Sequence, residues 1–188
     1  MKNIAVFASG NGSNFEAIVK ATQTGELNAT VSLLVCDKPE AYVIARAEAQ
    51  EIEVFAFSPK SYPDKTAYET ELSAQLRERG IQFIVLAGYM RLIGHTLLEA
   101  YPNKIINIHP SLLPQFPGKC AIEQAYASGT SETGVTVHYV DAGMDTGSII
   151  AQRKVAIEAG DTIETLAQRI HQTEHVLYIE TLNKVFGD

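Results

Sequence analysis

Short, uninterrupted apolar runs recur along the first two-thirds of the chain, with Gly, Pro or Asp near their ends. Five of these runs predict β-strands at residues 4–8, 31–36, 54–57, 83–87 and 105–109. Apolar runs of this length are typical of strands that are buried on both faces. Helical patterns lie between them, so the alternation predicts an α/β fold with a doubly wound, mostly parallel, Rossmann-like sheet.

Two of the helical segments show a packed face in the spacing of their apolar residues. The predicted faces consist of Phe15, Ile18 and Val19 after the first strand, and of Tyr68, Leu72 and Leu76 between strands three and four.

The last third of the chain has a different pattern. Residues 134–140 and 148–157 are two further strand candidates around a loop at 141–147, which predicts an antiparallel addition to the sheet. A long helix then closes the chain. We expect Asp161 to cap this helix, with Glu164 three residues on as its capping-box partner. Its packed face is predicted to contain Leu166, Ile170, Thr173 and Leu177.

Length, charge and cysteine content restrict the class of protein. A chain of 188 residues suits a single domain, here residues 1–188. The formal net charge of −7 disfavours a nucleic-acid or anionic-membrane partner but leaves room for a phosphorylated small molecule. Two cysteines, Cys36 and Cys120, are too few for a disulfide framework, which favours a reducing cytoplasm. We expect neither a signal peptide nor a membrane span.

A Gly-rich turn follows the first strand and precedes a helix. In the segment Ser-Gly-Asn-Gly-Ser-Asn at residues 9–14, free backbone N–H groups at the helix start could hold a phosphate. A tight turn capped by Ser or Asn explains the same residues equally well. Gly10, Gly12 and Asp37 also match half of a dinucleotide fingerprint. Phe15 stands where that fingerprint needs its third glycine, so the nicotinamide interpretation is weaker.

Polar side chains end the fifth strand. Asn107 and His109 point to the same face because side chains alternate along a strand, and Pro110 stops the ladder directly after them. The carboxyl ends of strands in open α/β sheets are where ligands bind. An amide and an imidazole are suitable groups to stabilise an oxyanion in acyl transfer, and imidazole can also move a proton near neutral pH.

The loop at 141–147 contains two acids, Asp141 and Asp145. They are either solvated groups of a Gly-rich turn or a source of a carboxylate for His109, where it would stabilise the imidazolium. The sequence by itself leaves open which of the two acids reaches His109.

Taken together, these three segments resemble the glycinamide ribonucleotide formyltransferases. The resemblance extends along the whole chain in order. Asn107-Ile108-His109-Pro110-Ser111 and the Asp141-to-Gly147 loop are shared across folate-dependent formyltransferases and formyl-folate hydrolases, whereas Ser-Gly-Asn-Gly-Ser-Asn points to the ribonucleotide enzymes. The resemblance implies a formyltransferase-type fold and transfer of a formyl group from 10-formyltetrahydrofolate, the co-substrate, to the amine of glycinamide ribonucleotide in purine biosynthesis.

The resemblance also implies roles for individual residues. The catalytic group would be Asn107, His109 and Asp145. The substrate would contact Gly12, Ser13 and Asn14 through its phosphate and Glu174 through its ribose. The folate would contact Lys65, Met90, Arg91, Leu92, Ile93, Asn107, Asp141, Ala142, Gly143 and Met144. Both partners would be small molecules, and a homodimer remains one alternative for the oligomeric state.

Two segments depart from this picture. Many relatives carry a His shortly after the Pro-Gly at 117–118, where this chain has Lys119, Cys120 and Ala121. Near the C-terminus, His171 to His175 matches the H-x-x-E-H pattern of some zinc proteases. A further metal ligand has little chain left to come from, so substrate binding is the better interpretation of Glu174, and a solvated or core-edge position is the better one for both histidines.

Four other functions fit parts of the sequence. A formyltetrahydrofolate hydrolase would share the catalytic group but lack the phosphate loop. A methionyl-tRNA formyltransferase would need a tRNA-binding domain and a basic surface. A nicotinamide-dependent dehydrogenase is disfavoured by Phe15, and a non-catalytic nucleotide-binding module is disfavoured by the intact Asn107, His109 and Asp145 set.

Overall fold

A single seven-stranded sheet forms the centre of the computed structural model, which describes residues 1–187. Its strands lie in the order β3-β2-β1-β4-β5-β6-β7. The strand bounds are β1 Lys2–Ala8, β2 Ala29–Cys36, β3 Val54–Ala56, β4 Phe83–Leu86, β5 Ile105–His109, β6 Glu132–Tyr139 and β7 Ile149–Ala156. The first five pair in parallel, whereas β6 and β7 add antiparallel pairs at one side. This architecture confirms the predicted doubly wound sheet with its antiparallel addition.

Six helices cover the two faces of the sheet. Their bounds are α1 Ser13–Thr24, α2 Tyr42–Ala49, α3 Lys65–Glu78, α4 His95–Ala100, α5 Ala121–Ser128 and α6 Ile163–Gly187. Apolar residues of α1, α2, α5 and α6 pack on one face, and those of α3 and α4 pack on the other. Along β1, Val6 belongs to the first core and Phe7 to the second, as expected for a strand buried on both sides. Within residues 1–187, no helix combines the length and apolarity needed to cross a bilayer.

The start of the closing helix differs from the prediction. Thr162, rather than Asp161, caps α6: its hydroxyl accepts the Thr165 N–H at 3.2 Å, and the Thr165 hydroxyl accepts the Thr162 N–H at 2.9 Å. Asp161 is held instead by Arg169, with 2.8 Å between Oδ1 and Nη2, and this hydrogen-bonded pair keeps the pKa of Asp161 below its usual range. Glu164 is exposed, so the predicted Asp161–Glu164 box is wrong.

The strand order reverses between β1 and β4. From this point the chain proceeds outward to β2 and β3 on one side and to β5 on the other. Loops that leave the carboxyl ends of β1 and β4 therefore diverge and open a crevice, the usual ligand position in such sheets. α6 crosses behind this crevice, where the fully buried Tyr178 hydroxyl lies 2.6 Å from the Leu86 carbonyl and 3.1 Å from that of Ile106.

Candidate active site

A cleft of about 1270 Å³ opens at the carboxyl ends of β1, β4 and β5. The loops at 118–121 and 143–145 and one side of α6 complete its wall. Most of the residues that the sequence assigned to substrate or catalysis line it. They are Gly12, Ser13, Asn14, Met90, Arg91, Leu92, Ile93, Asn107, His109, Gly143, Met144, Asp145 and Glu174.

Three residues expected to contact folate do not belong to the cleft lining. The Lys65 ammonium donates to the Leu92 carbonyl at 2.8 Å. Asp141 accepts from the Gly143 N–H and the Thr146 hydroxyl, and these bonds, the Thr146 bond foremost, lower its pKa. The third residue, Ala142, is exposed. The first two therefore support neighbouring loop backbone or side chains, and direct contact with folate stays a prediction for all three.

The loop between β1 and α1 requires glycine at one position. Gly12 precedes α1 with φ of 84°, a left-handed backbone that favours glycine. A Cβ at this position would lie 2.4 Å from Cγ2 of Val43, so a larger residue would push α2 away. The expected side-chain cap from Ser or Asn is absent at the start of α1, because Gly12 is the N-cap residue. Ser13 and Asn14 are instead the first helical residues. First-turn N–H groups have no intrahelical acceptors, which suits this loop to an anion.

Side chains from α1 and α6 meet across the cleft. The Asn14 amide donates to the Glu174 carboxylate at 2.7 Å, and the His171 Nδ1 atom lies 3.3 Å from the other carboxylate oxygen. Glu174 is only 5% exposed. Asn14 Oδ1 and His175 Nε2 are buried without a hydrogen-bond partner among residues 1–187. Buried polar atoms normally have partners, so these two are available to a ligand.

The polar groups on β5 and β6 form a second cluster in the same cleft. Asn107 and His138 are directly opposite each other in the antiparallel ladder, and 3.4 Å separates Asn107 Nδ2 from His138 Nε2. His109 follows on the same face of β5 as Asn107 and is 6% exposed. The cluster therefore holds one amide and two imidazoles on adjacent strands.

Asp145 lies between the two histidines. Its carboxylate oxygens are 3.5 Å from His109 Nδ1 and 3.6 Å from His138 Nε2, and one of them accepts the Gly118 N–H at 2.8 Å. Burial raises the pKa of this carboxyl, but His138, the Gly118 N–H and His109 together outweigh burial, so the pKa lies below its usual range. Asp145 adopts φ of 57°, a conformation that Asp tolerates better than most residues.

Backbone carbonyls hold the outer nitrogen of each ring. His109 Nε2 lies 2.8 Å from the Phe116 carbonyl, and His138 Nδ1 lies 2.8 Å from the Tyr139 carbonyl. Carbonyls only accept hydrogen bonds, so those two ring nitrogens carry protons. The remaining nitrogen of each ring faces Asp145, where added positive charge would be stabilised.

Two local features bring these groups together. Thr136, opposite His109 in the ladder, donates to the Ser111 carbonyl at 2.7 Å and accepts the Leu113 N–H at 3.1 Å, which folds the loop after β5 back over the sheet. At Gly147 the chain passes so close to β6 that a Cβ would be 1.7 Å from the Tyr139 carbonyl oxygen. Glycine is required there for the Asp145 loop to return to the sheet.

Comparison with known proteins identifies the family. Residues 2–182 match the family model described as formyl transferase. The chain belongs to the formyl transferase family. A phosphoribosylglycinamide formyltransferase of Bacillus subtilis (strain 168) is 58% identical over 187 residues, which cover 100% of this chain and 96% of that protein.

One solved structure and one longer protein show further similarity to this formyltransferase. Glycinamide ribonucleotide transformylase 1 from Geobacillus kaustophilus superposes with a TM-score of 0.96 at 62% identity, covering 98% of each chain. The trifunctional purine biosynthetic protein adenosine-3 of Drosophila pseudoobscura pseudoobscura is 42% identical over 176 residues, covering 93% of this chain and 13% of that longer protein.

Sequence reasoning missed one member of the formyltransferase cluster, His138. The signal was present, since Thr136 and His138 are polar residues at alternate positions of a strand that is otherwise apolar in its centre. Only the register of β6 against β5, which sets His138 opposite Asn107, shows that this polar face belongs to the cleft.

The zinc-like pattern and the departure after Pro117 both lie at the cleft of this formyltransferase. His171 and His175 line it; His171 is exposed and His175 is partly buried, in agreement with the expected solvated or core-edge positions. Among residues 1–187 there is no group of three or more His, Cys, Asp or Glu side chains placed to hold a metal ion. Lys119 and Cys120 are exposed lining residues, and Cys120 precedes α5 with φ of 58°.

Proposed function

We propose that this formyltransferase transfers the formyl group of 10-formyltetrahydrofolate to the amine of glycinamide ribonucleotide, a step of de novo purine biosynthesis. The names of the relatives support this substrate pair. One observation carries the proposal. The Asn107, His109, His138 and Asp145 cluster shares a single cleft with the loop at Gly12 to Asn14. The same cleft therefore offers an anion site and an acyl-transfer site.

The cleft has a side for each substrate. The phosphate of glycinamide ribonucleotide lies on Gly12, Ser13 and Asn14, and Glu174 receives the ribose hydroxyls. Formyl-folate occupies the opposite side, against the loop from Met90 to Ile93 and the loop that ends at Met144. Met90 and Met144 are 60% and 49% exposed, so they offer apolar surface to a planar ring. The amine and the formyl carbon then meet at Asn107.

The reaction proceeds by direct attack. The substrate nitrogen forms a bond to the formyl carbon, and the carbonyl electrons move to oxygen to give a tetrahedral oxyanion. The Asn107 N–H groups and the positive charge of protonated His109 stabilise that oxyanion. Because the His109 Nε2 proton is directed at the Phe116 carbonyl, His109 acts mainly through its charge in this arrangement. Collapse breaks the bond to folate nitrogen N10, and a water beside Asp145 carries the amine proton to that nitrogen.

Holding both substrates in register supplies much of the acceleration, because it converts an encounter of two molecules into a reaction within one complex. The mechanism needs neither a covalent enzyme intermediate nor a metal. Cys120 therefore has no role as a nucleophile in this account, although it lines the cleft.

Absorbance of 10-formyltetrahydrofolate, followed with and without glycinamide ribonucleotide, tests the proposal. We expect the formyl-folate signal to fall only when the amine is present. Loss of the signal without the amine would instead identify a formyltetrahydrofolate hydrolase. No loss in either case would reject the proposed reaction.

Glu174→Gln is expected to raise KM for glycinamide ribonucleotide roughly tenfold, while KM for formyl-folate stays within about twofold. The physical reason is that the carboxylate accepts hydrogen bonds from ribose hydroxyls more strongly than an amide does, and it also orients Asn14. Glu180→Gln on the same helix is the matched control, since Glu180 pairs with Arg153 and does not line the cleft. Equal effects of the two substitutions in steady-state kinetics would contradict a ribose-binding role.

We further propose that residues 1–188 act as one formyltransferase domain, because a single sheet takes its strands from residues 2–156 and α6 packs into the same core. The net charge of −7 supports small-molecule partners rather than nucleic acid or a membrane, and the two unpaired cysteines, one buried and one exposed, support a cytoplasmic location. A homodimer remains an alternative to a monomer, to be decided by sedimentation.

A further inference from the structure

Asp37 is a buried acid at the carboxyl end of β2 that the proposed reaction does not use. Its side chain is 1% exposed, and both of its oxygens are engaged. Oδ1 accepts the Ser9 hydroxyl at 2.6 Å, and Oδ2 accepts Nε–H of Arg91 at 2.8 Å. A charge is costly to bury unless it is paired and hydrogen-bonded, and Asp37 meets both conditions.

The same bonds extend to the backbone of the cleft. The Ser9 hydroxyl that donates to Asp37 also accepts the Met90 N–H at 2.9 Å. Asp37 therefore reaches two successive residues, Met90 through Ser9 and Arg91 directly. These contacts join the carboxyl ends of three adjacent strands, β2, β1 and β4.

The C-terminal end of the loop that follows β4 is held by separate hydrogen bonds. The Leu92 carbonyl accepts from Lys65 at 2.8 Å, and the Gly94 N–H donates to the buried carboxylate of Glu69 at 2.7 Å. With its far end fixed in this way, the conformation of Met90 and Arg91 depends on the contacts at Asp37.

These contacts exclude the role that the sequence pattern first suggested for this acid. In a dinucleotide-binding fold, an acid after the second strand accepts hydrogen bonds from a ribose. The Asp37 oxygens are already occupied and are shielded from the cleft, so they do not serve a nicotinamide dinucleotide.

We propose that Asp37 is a positioning residue for the folate side of the cleft, holding the Arg91 guanidinium and, through Ser9, the Met90 backbone in the geometry that receives formyl-folate. This inference rests on the function proposed above. Asp37 accepts the Nε–H of Arg91. The rest of the guanidinium lies at the cleft wall, and 40% of the Arg91 side chain is exposed. Its outer N–H groups then bind a carboxylate of the folate tail.

Asp37→Asn tests this role. The amide can keep hydrogen bonds to Arg91 through its oxygen and to Ser9 through its NH₂, because a hydroxyl also accepts, but it loses the negative charge that holds the guanidinium. We expect KM for formyl-folate to rise about tenfold or more, with kcat and KM for glycinamide ribonucleotide within about twofold of wild type. The affinity for tetrahydrofolate, the reaction product, should fall by a similar factor in calorimetry.

Two further variants separate positioning from general loss of structure. Asp161→Asn removes a buried acid from an Asp–Arg pair of the same 2.8 Å length outside the cleft, and it should leave KM for formyl-folate unchanged. Ser9→Ala keeps the Asp37–Arg91 pair but frees the Met90 N–H, and it should raise KM for formyl-folate less than Asp37→Asn does.

A double-mutant cycle shows whether Asp37 acts through Arg91. In an Arg91→Ala background, Asp37→Asn should change KM for formyl-folate by less than about threefold, because the side chain that it orients is gone. An unchanged or lowered KM in Asp37→Asn, or a full effect in the Arg91→Ala background, would overturn the inference. If the wild-type protein transfers no formyl group at all, the proposed function fails instead.

Discussion

Replacing His109 with alanine is expected to lower kcat by about a hundredfold or more, with KM for both substrates little changed. The ring carries the positive charge that we assign to the oxyanion, and this charge matters mainly in the transition state. Its Nδ1 atom lies 3.5 Å from the Asp145 carboxylate, so a countercharge stands beside the ring. Steady-state kinetics with both substrates varied measures the effect.

The His109→Ala protein should remain folded. The substitution removes the hydrogen bond to the Phe116 carbonyl, a loss of about 1–3 kcal/mol that a domain of ordinary stability survives. His95→Ala is the matched control, because His95 is exposed on α4 and lies outside the cleft. A folded His109→Ala enzyme with wild-type kcat would remove this histidine from the mechanism.

Asp145→Asn is expected to reduce kcat by roughly 10²–10⁴-fold, the second large effect. The amide cannot balance positive charge on His109 and His138, which lie 3.5 and 3.6 Å from the carboxylate oxygens. It can still accept the Gly118 N–H, so the loop should keep its conformation. The expected signature is therefore a loss in kcat without a matching loss of thermal stability.

The pH dependence gives a second readout for Asp145. Because the pKa of Asp145 lies below its usual range, the wild-type carboxyl stays ionised from about pH 6 to 8. The ¹³C chemical shift of the Asp145 carboxyl carbon, followed by NMR, should thus be nearly constant across that interval. Asp141→Asn, in the same loop, should act on KM for folate rather than on kcat. A carboxyl shift that changes steeply with pH there would mean that Asp145 titrates in this range, contrary to the account.

The local sequence pattern was sufficient to predict those strands and helices whose buried residues recur at regular spacing. The fifth strand was predicted at the bounds that β5 has, and every residue predicted for the packed faces of α1 and α3 is buried, because alternation and helical spacing are properties of the chain itself. Asn107 and His109 could be assigned to one face for the same reason.

Contacts between distant segments could not be derived in this way. Which acid of the 141–147 loop reaches His109 depends on the left-handed turn at Asp145 and on the close approach of Gly147 to β6. The choice of Thr162 over Asp161 as helix cap depends on Arg169, eight residues further along. The place of His138 depends on strand register. Each of these outcomes was decided by tertiary packing, which local sequence patterns do not record.

Tracing the formyl carbon through a single turnover tests the central claim most directly. Excess enzyme would be mixed with 10-formyltetrahydrofolate carrying ¹³C in the formyl group, with and without glycinamide ribonucleotide, and quenched in acid. We expect the label to pass to the substrate nitrogen when the amine is present and to stay on folate when it is absent. Label recovered as formate without the amine, or bound to the protein at Cys120, would contradict direct transfer between the two bound substrates.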